Sequence, residues 1–513
     1  MKRLLTALLA GAALATAVSA SADPLRVGVA DDWPQYKPCG DVWWKSAEDI
    51  GYSEVRLTVQ WNGTPAIPNP SGLQTAISCA IQNHVLPVLA IYPAKPTLIG
   101  SSTLAQATFA QFVAQVGQAF PLVTNFIIGN EPNVNRFWQP QFVEGKDAAA
   151  KDYEHTLAQS YDALKFVRPN VLVWGPAISS RGNDDPFAKS NPSHSPVMFI
   201  KELGDAYRAS NRKRPIFDEF DMHPYPPVQD TAPYTKPFLW PQAGAADLAR
   251  VKQALWDAFH GTHQPVPAEQ SPYTTSIDRT TLTGLPINLD EVGSQTIVPA
   301  SDAAAYDGTP ETIAAITSTQ QAAYYTQLIN LVECDPDVSS LMFFPLIDDP
   351  TISGGFQSGE LYADLTQKVS YSAIKTALAT TQGLCPAPFM TTWQHTTQVI
   401  AAQVVPGWRP FSRTFTVSAG EAVTYKAALF QIKGSRKPSS ADVARMLASA
   451  QRPPTVAAAL DGAIRAYYKP SISFGTKQLP TGVYVCGITL TSVANPSRTT
   501  TYVSKPFAVK QPQ

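Results

Sequence analysis

Short apolar runs alternate with longer segments of helical periodicity along most of the chain. An unbroken apolar run of about four to eight residues is typical of a parallel strand buried on both faces. The helical segments carry apolar residues three and four positions apart, as in Phe109, Phe112, Val113, Val116 and Phe120. Because the two kinds of segment alternate, the pattern predicts a parallel sheet covered by helices.

Eight strand and helix pairs can be distinguished before residue 384. In chain order, the predicted strands cover residues 25–30, 54–61, 85–92, 126–128, 171–176, 216–222, 286–291 and 341–346. Eight such pairs predict an α/β fold, the (β/α)8 TIM barrel, in residues 23–383. The connections at 226–245, 260–283 and 293–309 are long, so we expect enlarged loops.

The pattern changes from residue 384 to residue 513. Segments such as 423–430 and 482–490 alternate apolar and polar residues and are separated by glycine, proline and serine. This is typical of an all-β, sandwich-like domain, here interrupted by a helical insertion near Ser440 to Ala450. No low-complexity linker precedes it, so we expect it to pack on the barrel. We favour a buttressing role because it has few tryptophans; glycan binding is the alternative.

The N-terminus has the features of an export signal. Lys2 and Arg3 are followed by a short apolar stretch, 4–18, and by a small-residue cleavage site, Ala20-Ser21-Ala22. The stretch is too short and too rich in alanine for a membrane span. We therefore interpret residues 1–22 as a signal peptide and expect a secreted protein, extracellular or periplasmic.

The overall charge gives no reason to expect a nucleic acid or membrane partner. The 513 residues are 44% hydrophobic and 15% charged, and their formal net charge is −1. A protein that binds polyanions or anionic membranes through its charge normally carries a basic excess. The sequence does not indicate an oligomeric state.

Five cysteines are present without any Cys-x-x-Cys spacing, which argues against a structural zinc site. Export permits disulfides. Cys334 closes one predicted helix and Cys385 follows the next, so they are a plausible pair, and Cys39 with Cys79 is a second candidate. Cys486 is then the expected buried thiol. The histidines form no metal-binding motif, so no metal or other cofactor is expected.

Two predicted strands end in glutamate. Glu131 follows the apolar run 126–128 and precedes Pro132, which cannot continue a sheet ladder, so the carboxylate projects from the strand end. Glu291 lies in Leu289-Asp290-Glu291-Val292-Gly293, at the end of the seventh predicted strand. In barrel enzymes the carboxyl ends of the strands carry the chemistry.

Two carboxylates facing each other at this end of a barrel suit a retaining glycosidase. Such an enzyme needs a nucleophile about 5 Å from a second carboxyl group, which protonates the leaving oxygen and later activates water. We assign Glu131 as general acid/base and Glu291 as nucleophile. Their surroundings must keep Glu131 protonated and Glu291 ionised, the latter with donors such as Arg56 or the Tyr225 hydroxyl.

Each of these residues also has a structural interpretation. A single strand-end glutamate is more often a capping or ion-pairing group than a catalyst, but two on suitable strands favour catalysis. Arg56 also fits an interior ion pair, and His223 also fits a structural role. Asp31, Asp32 and Asp348 are interpreted as hydrogen-bonding groups of the rim and its loops.

These motifs resemble those of clan A glycoside hydrolases, in particular the cellulase-like and β-xylosidase-like families. The resemblance rests on Arg56, Asn130-Glu131-Pro132, His223-Pro224-Tyr225 and Glu291-Val292-Gly293, and it covers the whole barrel. It implies that Asn130 holds the sugar 2-hydroxyl, that Tyr225 hydrogen-bonds the nucleophile and that Arg56 supports it.

The sequence departs from that clan at two strand ends. Tyr92 stands where many members have histidine, and Phe343-Phe344-Pro345 stands where a tryptophan usually floors the cleaving subsite. A substrate therefore cannot be transferred from any one family. Trp33, Trp61 and Phe344 are our candidates for stacking on sugar rings, although both tryptophans also fit the core.

The hypothesis is a secreted retaining glycosidase that cleaves β-type bonds in a polysaccharide or oligosaccharide substrate. One alternative is a carbohydrate-binding barrel that has lost turnover, which the departures at Tyr92 and Phe344 motivate. A transglycosylase is another, because sugar can replace water as the acceptor of the covalent intermediate. Sugar identity and endo or exo attack depend on the loops and remain open.

Overall fold

The computed structural model describes residues 25–227, 237–269, 284–309, 315–381, 385, 393–409, 411–432, 437–449 and 456–510. The predicted signal peptide lies outside these ranges, and so does the predicted domain boundary at residues 383 and 384. Both remain predictions.

Strands and helices alternate through the first part of the chain, as the sequence predicts. The elements are β1 (Arg26–Ala30), α1 (Val42–Ile50), β2 (Glu54–Trp61), α2 (Pro70–Gln82), β3 (Leu86–Pro93), α3 (Thr103–Ala119), β4 (Asn125–Ile128), β5 (Phe142–Val143), β6 (Lys146–Asp147), α4 (Ala149–Val167), β7 (Leu172–Ser179), α5 (Pro196–Ala209), β8 (Glu219–His223), α6 (Leu248–Phe259), β9 (Ile287–Val292), α7 (Ser318–Glu333), β10 (Val338–Phe343) and α8 (Val369–Thr381). All except the β5–β6 hairpin belong to the barrel.

Eight parallel strands close into that barrel in the order β1, β10, β9, β8, β7, β4, β3, β2. The (β/α)8 prediction is confirmed. Three strands differ from the prediction by three residues at an end, and β7 runs on to Ser179 where the sequence predicts an end at residue 176. The N–H groups of Ile216 and Phe217 face the Gln264 side chain instead of a neighbouring strand, so β8 begins only at Glu219. β10 ends at Phe343 because Pro345 cannot donate to a ladder.

Several helices begin where the sequence supplies a capping side chain. The side chains of Asp41, Ser102, Ser195 and Thr317 each accept a hydrogen bond from a backbone N–H of the first turn. These caps satisfy donors that have no partner inside the helix.

The barrel interior is layered along its axis. At the amino ends of the strands lies a polar group made of Arg26, Glu54, Glu219, Asn288 and Ser340, which we call the base cluster. Above it is an apolar layer that includes Val88, Ile127, Trp174 and Met342. The apolar layer separates the base cluster from the polar residues at the carboxyl ends.

The C-terminal domain consists of two antiparallel sheets and a helix. Its elements are β11 (Gln403–Arg409), β12 (Ser412–Ser418), β13 (Val423–Gln431), α9 (Ser440–Ala448), β14 (Val456–Ile464), β15 (Ser471–Gly475), β16 (Gly482–Ser492), β17 (Thr499–Val503) and β18 (Phe507–Val509). β11, β12 and β15 form one sheet, and β14, β13, β16 and β17 form the other, with β18 on β16. Buried side chains of both sheets share one core, so the sandwich prediction is confirmed.

Polar contacts fasten this domain to α6 of the barrel. Asp257 accepts a hydrogen bond from Asn495 at 3.0 Å and forms an ion pair with Arg498 at 2.7 Å. Arg498 also pairs with Glu421 at 2.7 Å, inside the C-terminal domain. Because Arg498 is only 3% exposed, this contact stays shielded from solvent.

The cysteines pair as the sequence suggests. Cys39 is bonded to Cys79 and Cys334 to Cys385, while Cys486 is free and buried in β16. Within the described ranges, no helix combines the length and apolarity needed to cross a membrane.

Candidate active site

A cavity of about 680 Å³ opens at the carboxyl ends of the barrel strands. Glu131 and Glu291 both line it, together with Arg56, Asn130 and Tyr225. The side chains of the two glutamates are 16% and 15% exposed, so each is partly sheltered but accessible. The cavity lies where barrel enzymes place their chemistry.

The chain reaches Glu131 through a strained turn after β4. Glu131 has a φ of 42°, a left-handed conformation that a residue with a side chain rarely adopts. Its N–H donates to the Ala177 carbonyl at 2.8 Å, and Ala177 itself has a φ of 54°. β7 carries an extra residue at this position relative to β8. The ends of β4 and β7 therefore hold each other, and they fix Glu131 at the rim.

Gly129 makes this turn sterically feasible. Its φ is 109°, and a side chain there would bring a Cβ within 2.9 Å of the Tyr153 ring. Tyr153 also hydrogen-bonds the Ile128 carbonyl. Glycine is thus required both by the backbone conformation and by the close approach of α4.

A bulge in β9 aims Glu291 into the cavity. Leu289 pairs with Leu341, but Val292 pairs with Phe343, so β9 holds one more residue than β10 over this stretch. Successive side chains of a regular strand point to opposite faces. The extra residue breaks that alternation, and both Asp290 and Glu291 reach Arg56.

Both carboxylate oxygens of Glu291 accept hydrogen bonds. Arg56 Nη1 donates to Oε2 at 3.1 Å, and the Tyr225 hydroxyl donates to Oε1 at 2.9 Å. Burial and the neighbouring charge of Glu291 raise the pKa of Tyr225 well above its usual value. The hydroxyl therefore stays protonated and keeps donating. Such donors favour the ionised carboxylate.

Arg56 connects the two sides of the site. Besides Glu291, its guanidinium donates to Asn130 Oδ1 at 2.6 Å and lies 3.1 Å from Asp290 Oδ2. Burial alone would lower the pKa of Arg56, but the charges of Asp290 and Glu291 outweigh it and raise the pKa. Arg56 is thus a permanent cation in contact with the nucleophile candidate.

His223 lies between the two glutamates. Its Nδ1 is 3.0 Å from Glu131 Oε1, and its Nε2 is 3.4 Å from Asp290 Oδ1 and 3.9 Å from Glu291 Oε2. Burial would lower the pKa of His223, but Glu291 and Asp290, with the hydrogen bonds to Asp290 and Glu131, raise it well above its usual value. A single ring contacts both carboxylates, so the two lie close together across the cavity.

Asp221 is a further buried acid beneath the site. Its Oδ1 accepts a hydrogen bond from Ala177 N at 2.6 Å. Burial and the charge of Asp290 raise the pKa of Asp221 well above its usual value, so this group is neutral. Asp221 thus supports the strained segment that holds Glu131.

The structure brings together seven of the nine residues assigned to the site from the sequence: Glu131, Glu291, Asn130, Arg56, His223, Tyr225 and Phe344. His223 differs from the sequence interpretation in one respect. It is fully buried against the carboxylates and is not part of the cavity wall, so its contacts in this structure are with Glu131, Asp290 and Glu291. Phe344 does line the cavity, where its ring packs edge to face on Phe356 with centroids 4.8 Å apart.

The two tryptophans proposed for sugar stacking require correction. Trp61 is 2% exposed and packs against Phe109 of α3 in the core, so neither of its faces is available to a sugar. Trp33 is not part of the cavity wall. Its indole N–H donates to Asp41 at 3.0 Å, and the Lys37 ammonium covers its ring at 4.5 Å.

Several residues of the site escaped the sequence interpretation. Asp290 and Asp221 were signalled only as polar residues inside otherwise apolar strands. Arg136, Arg181 and Phe356 lie on loops after β4, β7 and β10, where no periodicity marks them. Among the described residues, no group of three or more histidine, cysteine, aspartate or glutamate side chains is placed to hold a metal ion.

A second cavity, of about 510 Å³, lies between α5, α6 and the C-terminal domain. Its charged residues include Asp257 and Arg498, which are already paired with each other across the domain contact. This cavity lies outside the barrel, and neither Glu131 nor Glu291 lines it.

The site is thus a two-glutamate cavity at the carboxyl end of a (β/α)8 barrel. No protein-family model matches the sequence, and no curated protein matches it either.

Solved structures resemble the chain loosely. A family 39 glycoside hydrolase from Bacteroides cellulosilyticus is 16% identical over 81% of this chain and 74% of that one, with a TM-score of 0.47. A glucosidase from Croceicoccus marinus is 10% identical over 89% and 95%, with a TM-score of 0.46. GH5_18 from Streptomyces cattleya, solved in complex with GlcNAc, is 16% identical over 72% and 83%, with a TM-score of 0.45. At such similarity, function has to be argued from this chain's own residues.

Proposed function

We propose that the protein is a secreted glycoside hydrolase that cleaves β-type glycosidic bonds with retention of configuration. One observation carries the proposal. Two glutamates from strands across the barrel meet at one cavity, each anchored by donors of its own and each still accessible. Substrate would be a polysaccharide or oligosaccharide; the cavity volume of about 680 Å³ and its mixture of apolar and polar lining residues support this.

In the first step, a Glu291 oxygen attacks the anomeric carbon while Glu131 gives its proton to the leaving glycosidic oxygen. The bond between the anomeric carbon and that oxygen breaks as a glycosyl ester with Glu291 forms. Arg56 and Tyr225 hold Glu291 in place. His223 fixes one oxygen of Glu131, and it leaves Oε2 as the oxygen that faces substrate.

In the second step, Glu131 takes a proton from water, and that water attacks the anomeric carbon. The ester bond breaks, and Glu291 regains its negative charge. His223 and the Arg56 cation lie beside this charge in a sheltered cavity, where electrostatic stabilisation is stronger than in water.

Two further contacts with sugar follow from the geometry. Arg56 occupies Oδ1 of Asn130, so the side-chain amide group of Asn130 is the part that can donate to a sugar hydroxyl. Phe344 and Phe356 form an apolar wall at the end of β10. Such a wall suits the apolar face of a sugar ring.

The stereochemistry of hydrolysis tests the mechanism. Proton NMR during cleavage of an active β-glycoside should show the β-anomer of the product first, with the α-anomer appearing only by mutarotation. An initial α-anomer would refute retention. A panel of aryl glycosides and polysaccharides, with Glu291→Ala as control, tests hydrolysis itself.

A carbohydrate-binding barrel without turnover is the competing interpretation, because Tyr92 and Phe344 at the cavity differ from the residues common in the clan. Binding without cleavage across the whole panel would favour it. Product analysis at high acceptor concentration would reveal transglycosylation.

A further inference from the structure

Two arginines at the cavity carry charge that the catalytic groups do not need. Arg136 follows Glu131 in the loop after β4, and Arg181 follows the end of β7; both line the cavity. Neither forms an ion pair with any residue that the structure describes. Glu291 already contacts Arg56, and Glu131 already contacts His223.

Arg181 is held in place by uncharged groups. Its Nη2 donates to the Pro226 carbonyl at 2.6 Å, and its guanidinium lies 5.8 Å from the centroid of the Phe238 ring. Burial lowers the pKa of Arg181, since no nearby carboxylate compensates the cost. The Arg181 side chain as a whole is exposed, and an accessible cation without a counter-ion among the described residues is suited to binding an anion.

The backbone ties both arginines to the acid/base side of the site. Asn133 Nδ2 donates to the carbonyls of Ser179 and Arg181, at 3.1 and 3.3 Å. Arg136 lies in the same series of turns as Glu131, with its guanidinium 5.5 Å from the Phe137 ring. The loop after β7 that carries Arg181 is therefore tied by Asn133 to the loop after β4 that carries Glu131 and Arg136.

The opposite wall carries the other sign. Asp32, at the end of β1, lies across the barrel from β7, and its Oδ1 accepts hydrogen bonds from Gln35 and Thr58, at 2.8 and 2.7 Å. No cation pairs with it among the described residues. Arg136 and Arg181 thus add positive charge to the wall at β4 and β7, beside Glu131, and Asp32 adds negative charge near β1, beside Arg56 of β2. A ligand with a negative charge at one edge is favoured when that edge faces the two arginines.

We propose that the cavity accepts a sugar bearing a carboxylate, that is, a uronic acid residue, and that Arg136 and Arg181 bind this carboxylate. A guanidinium presents a planar fork of donors that matches a carboxylate. The proposal rests on the proposed glycosidase function and specifies its substrate class.

Matched aryl β-glycosides that differ only at C6 test the proposal. 4-Nitrophenyl β-glucuronide is compared with the β-glucoside, and the β-galacturonide with the β-galactoside. We expect kcat/KM for at least one uronide to exceed that of its neutral partner by about 10- to 100-fold, the range of hydrogen bonds to a charged group. A neutral partner that is hydrolysed as well or better in both pairs would overturn the proposal.

Variants locate the effect. Arg136→Ala and Arg181→Ala should each lower the ratio of kcat/KM for the uronide to kcat/KM for the neutral glycoside by about tenfold or more. Arg181→Lys should recover part of the loss because it keeps the charge. Arg445→Gln, at an exposed position of α9, is the matched control and should change neither substrate. Equal losses on both substrates would indicate a structural role and would contradict the proposal.

Binding separates this proposal from the failure of catalysis. If no glycoside is cleaved, the proposed hydrolase function fails, and calorimetry on Glu291→Ala with glucuronate and galacturonate, against glucose and galactose, still decides the inference. Binding of a uronate that weakens with added salt and is lost in Arg181→Ala would support it. Absent uronate binding, or equal binding of the neutral sugars, would overturn it.

Discussion

The two ends of the barrel contain similar polar residues in different states. In the base cluster, Glu54 is fully buried; Arg26 contacts one of its oxygens, and the Ser340 hydroxyl donates to the other at 2.6 Å. Glu219 is bonded to Asn288 at 2.7 Å. At the rim, Glu131 and Glu291 also have donors, but both open to a cavity. The same residue types are thus buried below the apolar layer at one end and open to a cavity at the other.

The two ends of the barrel differ more in solvent access and backbone strain than in charge. The base cluster is sealed below an apolar layer, and the regular register of β1 with β10 and β2 runs through it. The rim has extra residues in β7 and β9 and left-handed backbone at Glu131 and Ala177. Strain of this kind costs about 1–3 kcal/mol per residue, and it persists where surrounding structure enforces it.

The largest expected effect is at Glu291. Glu291→Ala should lower kcat by more than about 10⁴-fold, because the covalent step loses its nucleophile, a loss greater than that of an acid/base group. Its melting temperature should stay close to wild type, since Arg56 keeps Asp290 as a partner. Steady-state kinetics and thermal unfolding measure the two quantities. A variant that is active but unstable would place Glu291 with the base cluster.

Glu131→Gln should have the next largest effect, about 10²- to 10⁴-fold on kcat for a poor leaving group. With a good leaving group such as 2,4-dinitrophenol, formation of the intermediate needs little protonation, so that step should be slowed far less. Pre-steady-state kinetics with both substrates measures the difference. Equal losses on both would contradict the acid role.

Glu54→Ala should lower stability and retain activity, which is the opposite of the result expected for the two rim glutamates. It removes one partner from a buried ion pair, which typically costs about 3–5 kcal/mol of folding stability. Activity per folded molecule should be retained, because the apolar layer lies between this residue and the cavity. Urea denaturation and active-site titration check the two statements. A stable variant with lowered kcat would show that the ends of the barrel are coupled.

A hydroxyl that donates to a carboxylate is present at each end and gives a matched pair of smaller effects. Tyr225→Phe removes the donor to Glu291, and Ser340→Ala removes the donor to Glu54. Each hydrogen bond to a charged group is worth about 1.5–3 kcal/mol. We expect the first loss in kcat, about 10- to 100-fold, and the second in the free energy of unfolding. Kinetics and denaturation on both variants decide whether the two ends are independent.

The sequence predicts site residues well where an apolar strand ends in a glutamate. The apolar run before Glu131, and the strand that ends with Glu291, were sufficient to place both at the rim of a barrel. The error at Trp61 was avoidable, since Arg56 and Trp61 are five residues apart and so face opposite sides of a regular strand. A site role for Arg56 therefore places Trp61 against the helices.

The rest of the site depends on features that periodicity does not encode. Regular alternation would point Asp290 and Glu291 to opposite faces, and only the bulge in β9 brings both to Arg56. Arg136, Arg181 and Phe356 reach the cavity from loops, whose path is set by tertiary contacts such as those of Asn133. These contacts join segments far apart in sequence, so local patterns carry no signal of them.

A change at Asp31 has the smallest expected effect. It tests whether a residue resembles the rim because it lies at a strand end or because its side chain opens to the cavity. Asp31 ends β1 but resembles the base cluster, because it accepts hydrogen bonds from Trp33 N, Trp43 Nε1 and Leu346 N, at 2.8, 2.8 and 3.1 Å. Burial raises its pKa from 3.8 to about 6. The folded state therefore holds a proton that the unfolded state has released, and this contribution to stability, complete below pH 3.8, is lost as pH rises through 6.

The free energy of unfolding of wild type relative to Asp31→Asn should fall between about pH 4 and 6, by at most about 1.4 kcal/mol per pH unit. Urea denaturation at several pH values measures this difference. Activity per folded molecule should be unchanged. Parallel pH profiles of stability, or a large loss of kcat, would show that Asp31 acts with the catalytic glutamates and that position alone defines the rim.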